Sequence, residues 1–291
     1  MNRLAIAMVK TLLILLFISL ISCKSKQLIS QQHPLSDAVE NHGWLAINNG
    51  KIVDEKGNTP QLRGVSLSWS IWGGKKYYNA KVIDWLIKDF KVNVIRLSMA
   101  VQPKGGYIEN PKEQKELIFS VIDSAIANGI YVMMDWHDHH GELHVAESKA
   151  FFSEVSSKYA SYPNMIYEIW NEPERQSWEV VKKYAYEVIP EIRKHTKRNL
   201  IVVGSPHWDQ DIDMVAVDPL KNVVNIAYSF HFYSSEPAHQ EALMAKANVA
   251  LKKGLPIFIT EWGVGEADGN GTFDKEKTAK WMDWMELNKL S

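Results

Sequence analysis

The sequence contains little cysteine, almost no excess charge and no dinucleotide-binding motif. A single cysteine among 291 residues excludes an intramolecular disulfide framework and zinc ribbons built on several cysteines. The formal net charge of -1 gives no electrostatic reason to expect binding to DNA, RNA or anionic lipid. No Gly-x-Gly-x-x-Gly motif follows the first predicted strand of the main domain, so a dinucleotide-binding fold has little support. The remaining expectation is a globular domain without nucleic-acid or nucleotide partners.

The N-terminus resembles a bacterial export signal. Arg3 and Lys10 flank a short basic region, and residues 11–21 form an apolar run that is too short for a comfortable membrane span. The run ends in Leu20-Ile21-Ser22-Cys23, which is similar to a lipobox, although a small residue would fit better than Ile21. We therefore predict a lipoprotein-type signal peptide over residues 1–23, with an ordinary signal peptide as the alternative. The protein is then exported, and it is either secreted or anchored at the cell surface or outer membrane through lipidated Cys23.

The rest of the chain divides into a polar tether and one folded domain. Residues 24–40 lack an apolar period and predict a flexible tether. In the domain over residues 41–291, Asn49-Gly50 predicts a leading β-hairpin because Asn-Gly accepts the positive φ of a tight turn. Buried strands and amphipathic helices then alternate. The predicted strands are 62–67, 92–97, 130–135, 165–170, 200–203, 223–230 and 256–260; the predicted helices are 79–90, 111–128, 145–160, 177–196, 209–217, 238–252 and 274–288.

This alternation predicts an α/β fold with a parallel sheet and helical crossovers. Polar residues follow nearly every predicted strand, and a barrel collects the carboxyl ends of its strands around one mouth. The strand ends are Arg96-Leu97-Ser98, Asp135-Trp136-His137, Asn171-Glu172-Pro173, His231-Phe232-Tyr233 and Glu261-Trp262-Gly263. The sequence therefore predicts a TIM (β/α)8 barrel rather than an open doubly wound sheet.

Two glutamates stand at the ends of the fourth and seventh predicted strands. A surface glutamate more often lies on a polar helix face, whereas Glu172 and Glu261 each end an apolar run. Glycoside hydrolysis needs two such carboxyl groups at one site. One must carry a proton for the leaving oxygen, and the other must be ionised to attack the anomeric carbon or to activate water. The placement of the two glutamates thus favours this reaction.

The strand-end segments resemble those of glycoside hydrolase family 5, in the bacterial endoglucanase (cellulase) branch. Asp135-Trp136-His137, Asn171-Glu172-Pro173 and Thr260-Glu261-Trp262-Gly263 carry the resemblance, which covers roughly residues 41–291. The resemblance implies a barrel that hydrolyses β-1,4-glycosidic bonds with retention, with Glu172 as acid/base and Glu261 as nucleophile.

The resemblance also implies roles for seven further residues. Arg96 would keep Glu261 ionised, Asn171 would bind the sugar 2-hydroxyl, and Tyr233 would lie near the nucleophile. The others match positions that line the substrate cleft: His137, His231, Trp72 and Trp208. By contrast, Trp136 and Trp170 alternate with the polar strand ends, and Trp281 and Trp284 have helical spacing, so all four are predicted to be core. The implied partner is a β-glucan, bound by a monomer that needs no cofactor or metal.

Other functions remain open at this point. Mannanases and other endo-β-glycanases share the two glutamates, so the motifs do not settle the polysaccharide. A degraded barrel could bind glycans through its tryptophans without turnover. Residues 135–140 (Asp-Trp-His-Asp-His-His) also have a His-x-His spacing used by metal-dependent amidohydrolases on the same barrel.

Two features depart from the family pattern. After Tyr233 the chain reads Ser-Ser-Glu-Pro-Ala-His, where many relatives have a small residue and Thr-His, so contacts at that rim are expected to differ. The barrel also lacks its eighth strand and helix, because only seven strand–helix units fit before Ser291. We expect open sheet edges, low stability and weak activity from residues 24–291 alone.

Overall fold

A computed structural model describes residues 35–291. The predicted signal peptide of residues 1–23, including Cys23, and most of the tether lie outside the described residues. The predicted tether, however, extends too far. Helix α1 (Ala38–His42) lies across its end, Ala38 is buried, and the Val39 amide donates to the carbonyl of Gly129 at 3.0 Å. The folded part therefore begins before residue 41, because a short polar segment is fixed by backbone hydrogen bonds.

The leading hairpin forms as predicted. Strands β1 (Ala46–Asn48) and β2 (Lys51–Val53) pair in antiparallel register, and both Asn49 and Gly50 have positive φ. The buried side chains of Leu45 and Ile52 pack the hairpin against the amino end of the main sheet.

The main sheet has seven parallel strands in sequential order, each followed by a helix. The strands are β3 (Gly64–Leu67), β4 (Val94–Ala100), β5 (Tyr131–His137), β6 (Met165–Glu168), β7 (Leu200–Val203), β8 (Ile226–Tyr233) and β9 (Ile257–Gly263). The helices are α2 (Ala80–Trp85, continued by a π-helical turn over Leu86–Phe90), α3 (Pro111–Ala127), α4 (Val145–Tyr159), α5 (Trp178–Arg193), α6 (Ile212–Val215), α7 (Glu241–Lys252) and α8 (Lys275–Asn288). This is the predicted barrel architecture, with seven of its eight units.

Local sequence explains where several helices begin and end. The Asn79 side chain accepts from the Val82 amide at 3.2 Å, and Asp274 caps α8 in the same way. Pro111 opens α3, where a missing N–H is harmless. Gly129 and Gly254 follow α3 and α7 with positive φ, as the Asn-Gly and Lys-Gly pairs predict.

Alternation along the strands separates an outer core from the barrel interior. Side chains such as Ile95, Leu97 and Trp136 pack toward the helices, and the four tryptophans predicted as core are all buried. The side chains between them face inward. Near the amino ends these are apolar: Val94, Tyr131, Met133, Ile166, Leu200, Val202, Ala227 and Phe258. Toward the carboxyl ends of the strands, the same two-residue alternation places charged side chains inside the barrel. The alternation of side chains along each strand therefore positions the site.

The barrel is not closed among the described residues. Strands β3 and β9 are the two edges of the sheet, and a slot of about 220 Å³ separates them. The end of the chain lies at the base of this slot, where the Ile259 amide donates to the carbonyl of Ser291 at 2.8 Å and the Leu62 amide to its hydroxyl at 2.8 Å. Among residues 35–291, no helix has the length and apolarity needed to cross a membrane.

Candidate active site

Arg96 organises the floor of the barrel mouth. It projects inward from β4 and is only 4% exposed. Its guanidinium donates to Glu168 at 2.6 Å, to the Asn171 side-chain oxygen at 2.6 Å and to Glu261 at 2.9 Å. Burial alone would lower the pKa of Arg96, but the surrounding carboxylates hold it well above its ordinary value. The site therefore contains a permanent, fully desolvated positive charge.

Glu261 lies inward because β9 is irregular. The register between β8 and β9 shifts after Ser229, so that His231 pairs with Glu261. One Glu261 oxygen accepts from Arg96 and the other accepts from the Tyr233 hydroxyl. Burial alone would raise the pKa of Glu261, but the charges of His231 and Arg96 and the bond from Tyr233 lower it to about 2. Glu261 is thus an ionised carboxylate at neutral pH, as a nucleophile requires.

Glu172 has a different environment. Its Oε1 accepts from Nδ1 of His231 at 2.8 Å, and Arg96 is not among its partners. The other nitrogen of His231 lies 2.7 Å from the Thr260 hydroxyl and 3.4 Å from an oxygen of buried Asp209. Burial would lower the pKa of His231, but the charge of Asp209 and the bond to Glu172 raise it to about 9. His231 can therefore donate from both nitrogens.

The two glutamates are close enough for one reaction. An oxygen of Glu172 and an oxygen of Glu261 lie within 4.8 Å of each other and of a His231 nitrogen. Retaining glycosidases have carboxyl groups about 5–5.5 Å apart, whereas inverting ones need roughly 6.5–9.5 Å to admit a water molecule. The geometry thus fits direct attack by Glu261.

His137 and Asn171 supply neutral polar groups beside the pair. Nδ1 of His137 lies 2.6 Å from Asp135, and burial, with the charge of Arg96, lowers the pKa of His137 to about 3. Burial raises the pKa of Asp135 to about 7 against the opposing effect of Arg96. The side-chain oxygen of Asn171 is occupied by Arg96, but its buried Nδ2 has no partner among the described residues. That N–H group can donate to a sugar hydroxyl.

The site opens into a cavity of about 400 Å³ at the carboxyl ends of the strands. Its lining includes Trp69, His137, His139, Glu172, Trp208, Gln210, His231, Tyr233, His239 and Glu261. Trp72 does not line this cavity. It is 70% exposed, has a φ of 48° and stands at the rim, with its ring 5.8 Å from that of Trp69. The structure thus brings Trp208 into the cavity, as expected, and leaves Trp72 beside it.

Three further residues of the site were not singled out by sequence: Trp69, Glu168 and Asp209. Asp135 was noted only within a strand-end segment and His139 only within the His-x-His segment, and neither was given a role in glycoside hydrolysis. Asp135 and Glu168 lie on the inward phase of β5 and β6, so strand periodicity could have found them. Nothing in the sequence marks Asp209. It follows His207 and Trp208 in a turn where all three residues have positive φ, between 54° and 60°.

The histidines of residues 135–140 do not converge on one point. His137 contacts Asp135, His139 contacts Glu174 at 3.0 Å, and the Asp138 carboxylate lies 2.7 Å from His144. In residues 35–291, the carboxylate and histidine groups spaced for an ion are Glu168–Asp209–His231 and Glu172–His231–Glu261. Neither group contains a histidine of the His-x-His segment, so the geometry gives no support to the amidohydrolase alternative.

Comparison with known proteins agrees with this geometry. Residues 53–291 match the family described as Cellulase (glycosyl hydrolase family 5). The chain is 43% identical to Endoglucanase Z of Dickeya dadantii (strain 3937) over 251 residues, which cover 85% of this chain and 58% of that protein. An endoglucanase of Clostridium saccharobutylicum is 38% identical, over 86% of this chain and 56% of its own length.

Solved structures show the same fold. A protein from Cytophaga hutchinsonii superposes with a TM-score of 0.84 at 41% identity, over 87% of this chain and 82% of that one. The catalytic domain of Thermobifida fusca endoglucanase Cel5A gives 0.82 at 33% identity, over 87% of this chain and 84% of that one. A variant of that domain, solved with cellotetraose, gives 0.81 at 32% identity, over 87% of this chain and 84% of that one.

The chain spans between half and two thirds of the length of the curated relatives it matches. The match nevertheless includes every strand of the main sheet and both glutamates at its mouth. The chain belongs to glycoside hydrolase family 5.

Proposed function

We propose that this chain is a retaining endo-β-1,4-glucanase that cleaves internal bonds of cellulose or a related glucan. The observation that carries the proposal is the pair of glutamates whose oxygens lie within 4.8 Å, one bonded to Arg96 and Tyr233 and the other to His231. The similarity to proteins named endoglucanase supports the substrate class.

The first step forms a glycosyl-enzyme. Glu261 attacks the anomeric carbon, the bond to the leaving oxygen breaks, and Glu172 gives that oxygen its proton. Arg96 and Tyr233 keep Glu261 ionised before attack. Asn171 Nδ2 is free to donate to the 2-hydroxyl, a bond that strengthens as positive charge develops on the sugar ring.

The second step releases the sugar. Glu172, now ionised, takes a proton from water while the water oxygen attacks the anomeric carbon, and the bond to Glu261 breaks. Two inversions restore the original configuration, so the product is the β-anomer. No cofactor takes part in either step.

A polysaccharide panel tests the proposal. Wild-type protein should hydrolyse carboxymethylcellulose with a fast fall in viscosity, which indicates internal cleavage. Glu261→Gln and Glu172→Gln should each reduce turnover by about 10³-fold or more, because each removes a group that reacts. Glu187→Gln is the matched control, because Glu187 is a half-exposed residue of the outer helix α5 and does not line the cavity.

Each alternative predicts a different outcome of this panel. Preference for mannan would make the chain a β-mannanase. Binding of glucan without turnover would make it a glycan-binding remnant. Normal turnover in either active-site variant would overturn the catalytic assignment.

We also propose that the protein is an exported monomer with three parts: a signal peptide over residues 1–23, a tether, and the catalytic barrel. The position of Cys23 directly after the apolar run supports lipidation there and anchoring to a bacterial membrane surface. Expression with labelled palmitate should label the wild type and not Cys23→Ala. Equal labelling of both proteins would contradict lipidation at Cys23.

A further inference from the structure

His139 occupies a fixed position at the wall of the cavity, and the reaction described above does not use it. Its ring lies nearly parallel to that of Trp69, with centroids 5.9 Å apart and an interplanar angle of 9°. The Gln176 amide donates to its backbone carbonyl at 3.1 Å. The bond from Gln176 holds the backbone of His139, and stacking on Trp69 orients its ring.

The two ring nitrogens of His139 have different surroundings. Nδ1 lies 3.0 Å from Oε1 of Glu174, although the two atoms are not aligned for a hydrogen bond. Nε2 lies 4.0 Å from Oε2 of Glu172. That distance is too long for a direct hydrogen bond. Both side chains line the cavity, so a glycosidic oxygen at Glu172 and a hydroxyl of the same sugar at His139 can be bound side by side.

The partners of Glu172 indicate on which side of the scissile bond His139 lies. Its Oε1 is occupied by His231, which leaves Oε2 to face the glycosidic oxygen. The polar groups bonded to Glu261 are Arg96 and Tyr233, and His139 is not among them. His139 therefore borders the acid/base and not the nucleophile, so the sugar beside it is the one that leaves.

We infer that His139 binds a hydroxyl of the leaving sugar through Nε2 and thereby sets the preference for a saccharide leaving group. The inference rests on the proposed function. A hydroxyl held there positions the glycosidic oxygen against Glu172, and an imidazole nitrogen can accept from or donate to a hydroxyl. A leaving group without hydroxyls cannot use this contact.

Two substrates separate this role from a structural one. Cellotetraose leaves a sugar behind its scissile bond, whereas 2,4-dinitrophenyl β-cellobioside leaves a phenolate. We expect His139→Ala and His139→Phe to lower kcat/KM for cellotetraose about ten-fold more than for the aryl substrate. The phenylalanine variant keeps an aromatic ring against Trp69, so its effect reports the loss of the ring nitrogens alone. His139→Gln, which retains a donor and an acceptor, should recover part of the difference.

The control is His195→Ala. His195 follows α5, its Nε2 lies 3.2 Å from the Ser153 hydroxyl, and it does not line the cavity, so this variant should not change the ratio of the two constants. Equal losses on both substrates in the His139 variants, or no loss on either, would overturn the role of His139 while leaving the proposed function intact. Wild-type protein that turns over neither substrate would instead overturn the proposed function, and this inference with it.

Discussion

Arg96 is a buried cation that orients two neighbouring side chains of the site. Its donors hold Glu261 as an anion and also fix the oxygen of Asn171, which turns the Asn171 N–H group toward the substrate space. Replacement of Arg96 would leave several desolvated carboxylates without a cation. The variant would lose stability as well as activity, so its activity alone would not report on catalysis. Tyr233 offers a cleaner test of the nucleophile.

We predict that Tyr233→Phe moves the acidic limb of the kcat/KM profile to higher pH by about one unit. Burial and the neighbouring charge of Glu261 raise the pKa of Tyr233, so the hydroxyl keeps its proton and donates to Glu261. A donor to a carboxylate lowers the pKa of that carboxylate, and its loss raises it from about 2 toward the ordinary value. Glu261 is then protonated, and inactive, at a higher pH than in the wild type.

The measurement is kcat/KM on the aryl cellobioside between about pH 2 and pH 7, a range that includes the acidic limbs expected for both proteins. Tyr228→Phe, in the same strand, is the control, because the Tyr228 hydroxyl bonds to the Leu220 amide far from the glutamates. An acidic limb that stays in place in Tyr233→Phe would show that this hydroxyl does not set the ionisation of Glu261.

The positions of the site residues could be predicted where the sequence carries a recognisable motif. The nine predicted residues lie in or beside the mouth: seven lie in or shortly after strands, where motifs such as Asn-Glu-Pro place them, and Trp72 and Trp208 lie in the loops after β3 and β7. Their roles stay predictions. His139 and Asp209 could not be assigned, since their roles depend on neighbours that are distant in sequence. Asp209, for example, approaches His231 only because the turn before it is left-handed.

The irregular elements are those that shape the site. The predicted strands and helices agree with the observed ones to within a few residues, since buried runs and amphipathic periods are strong local patterns. The bulge that faces Glu261 inward and the left-handed turn over residues 207–209 were not predicted. Both are enforced by tertiary contacts. In the turn, the His207 amide donates to the carbonyl of Glu174 at 3.1 Å and the Trp208 amide to the carbonyl of Pro173 at 2.9 Å.

We predict that glycine stabilises this turn relative to alanine. A residue with a Cβ loses roughly 1–2 kcal/mol in the left-handed region, and His207 has a φ of 60° with an exposed side chain. His207→Gly should therefore have a free energy of unfolding about 1 kcal/mol higher than His207→Ala, measured by urea denaturation.

The same pair of substitutions in a regular helix is the control. At exposed Glu116 in α3, alanine should be the more stable by about 0.5–1 kcal/mol. If alanine is the more stable substitution at His207 as well as at Glu116, the turn is not strained.

At the scale of the whole barrel, the open slot is the least covered part of residues 35–291. The edges of β3 and β9 face each other across it, and within those residues neither strand has a partner on that side. Apolar Val65, Phe258, Met282 and Leu290 contribute to its lining. On the outside, Trp85 of α2 and Leu287 of α8 are at least half exposed. Parallel sheets occur with both faces covered, and a free edge leaves backbone groups unpaired, so the slot costs stability.

We predict that one further strand and helix, taken from a family relative and joined after Ser291, raises the melting temperature of residues 24–291 by roughly 5 °C or more. A strand entering the slot pairs with both edges, and a helix behind it covers the exposed apolar side chains. Since β9 carries Glu261, pairing on its free side also restrains the nucleophile, so hydrolysis of carboxymethylcellulose should increase with stability.

A second version of the extended protein tests whether the rise in melting temperature comes from insertion of the strand or from added chain in general. Two prolines in the added strand each remove one backbone N–H donor and disrupt its pairing in the sheet, while leaving its length and most of its apolar surface unchanged. This version should melt at the temperature of the unextended chain. If the unextended chain already melts cooperatively at the same temperature and with the same activity as the extended one, the seven-stranded barrel is sufficient. The free edges would then cost little, and the sequence-based expectation of instability would be wrong.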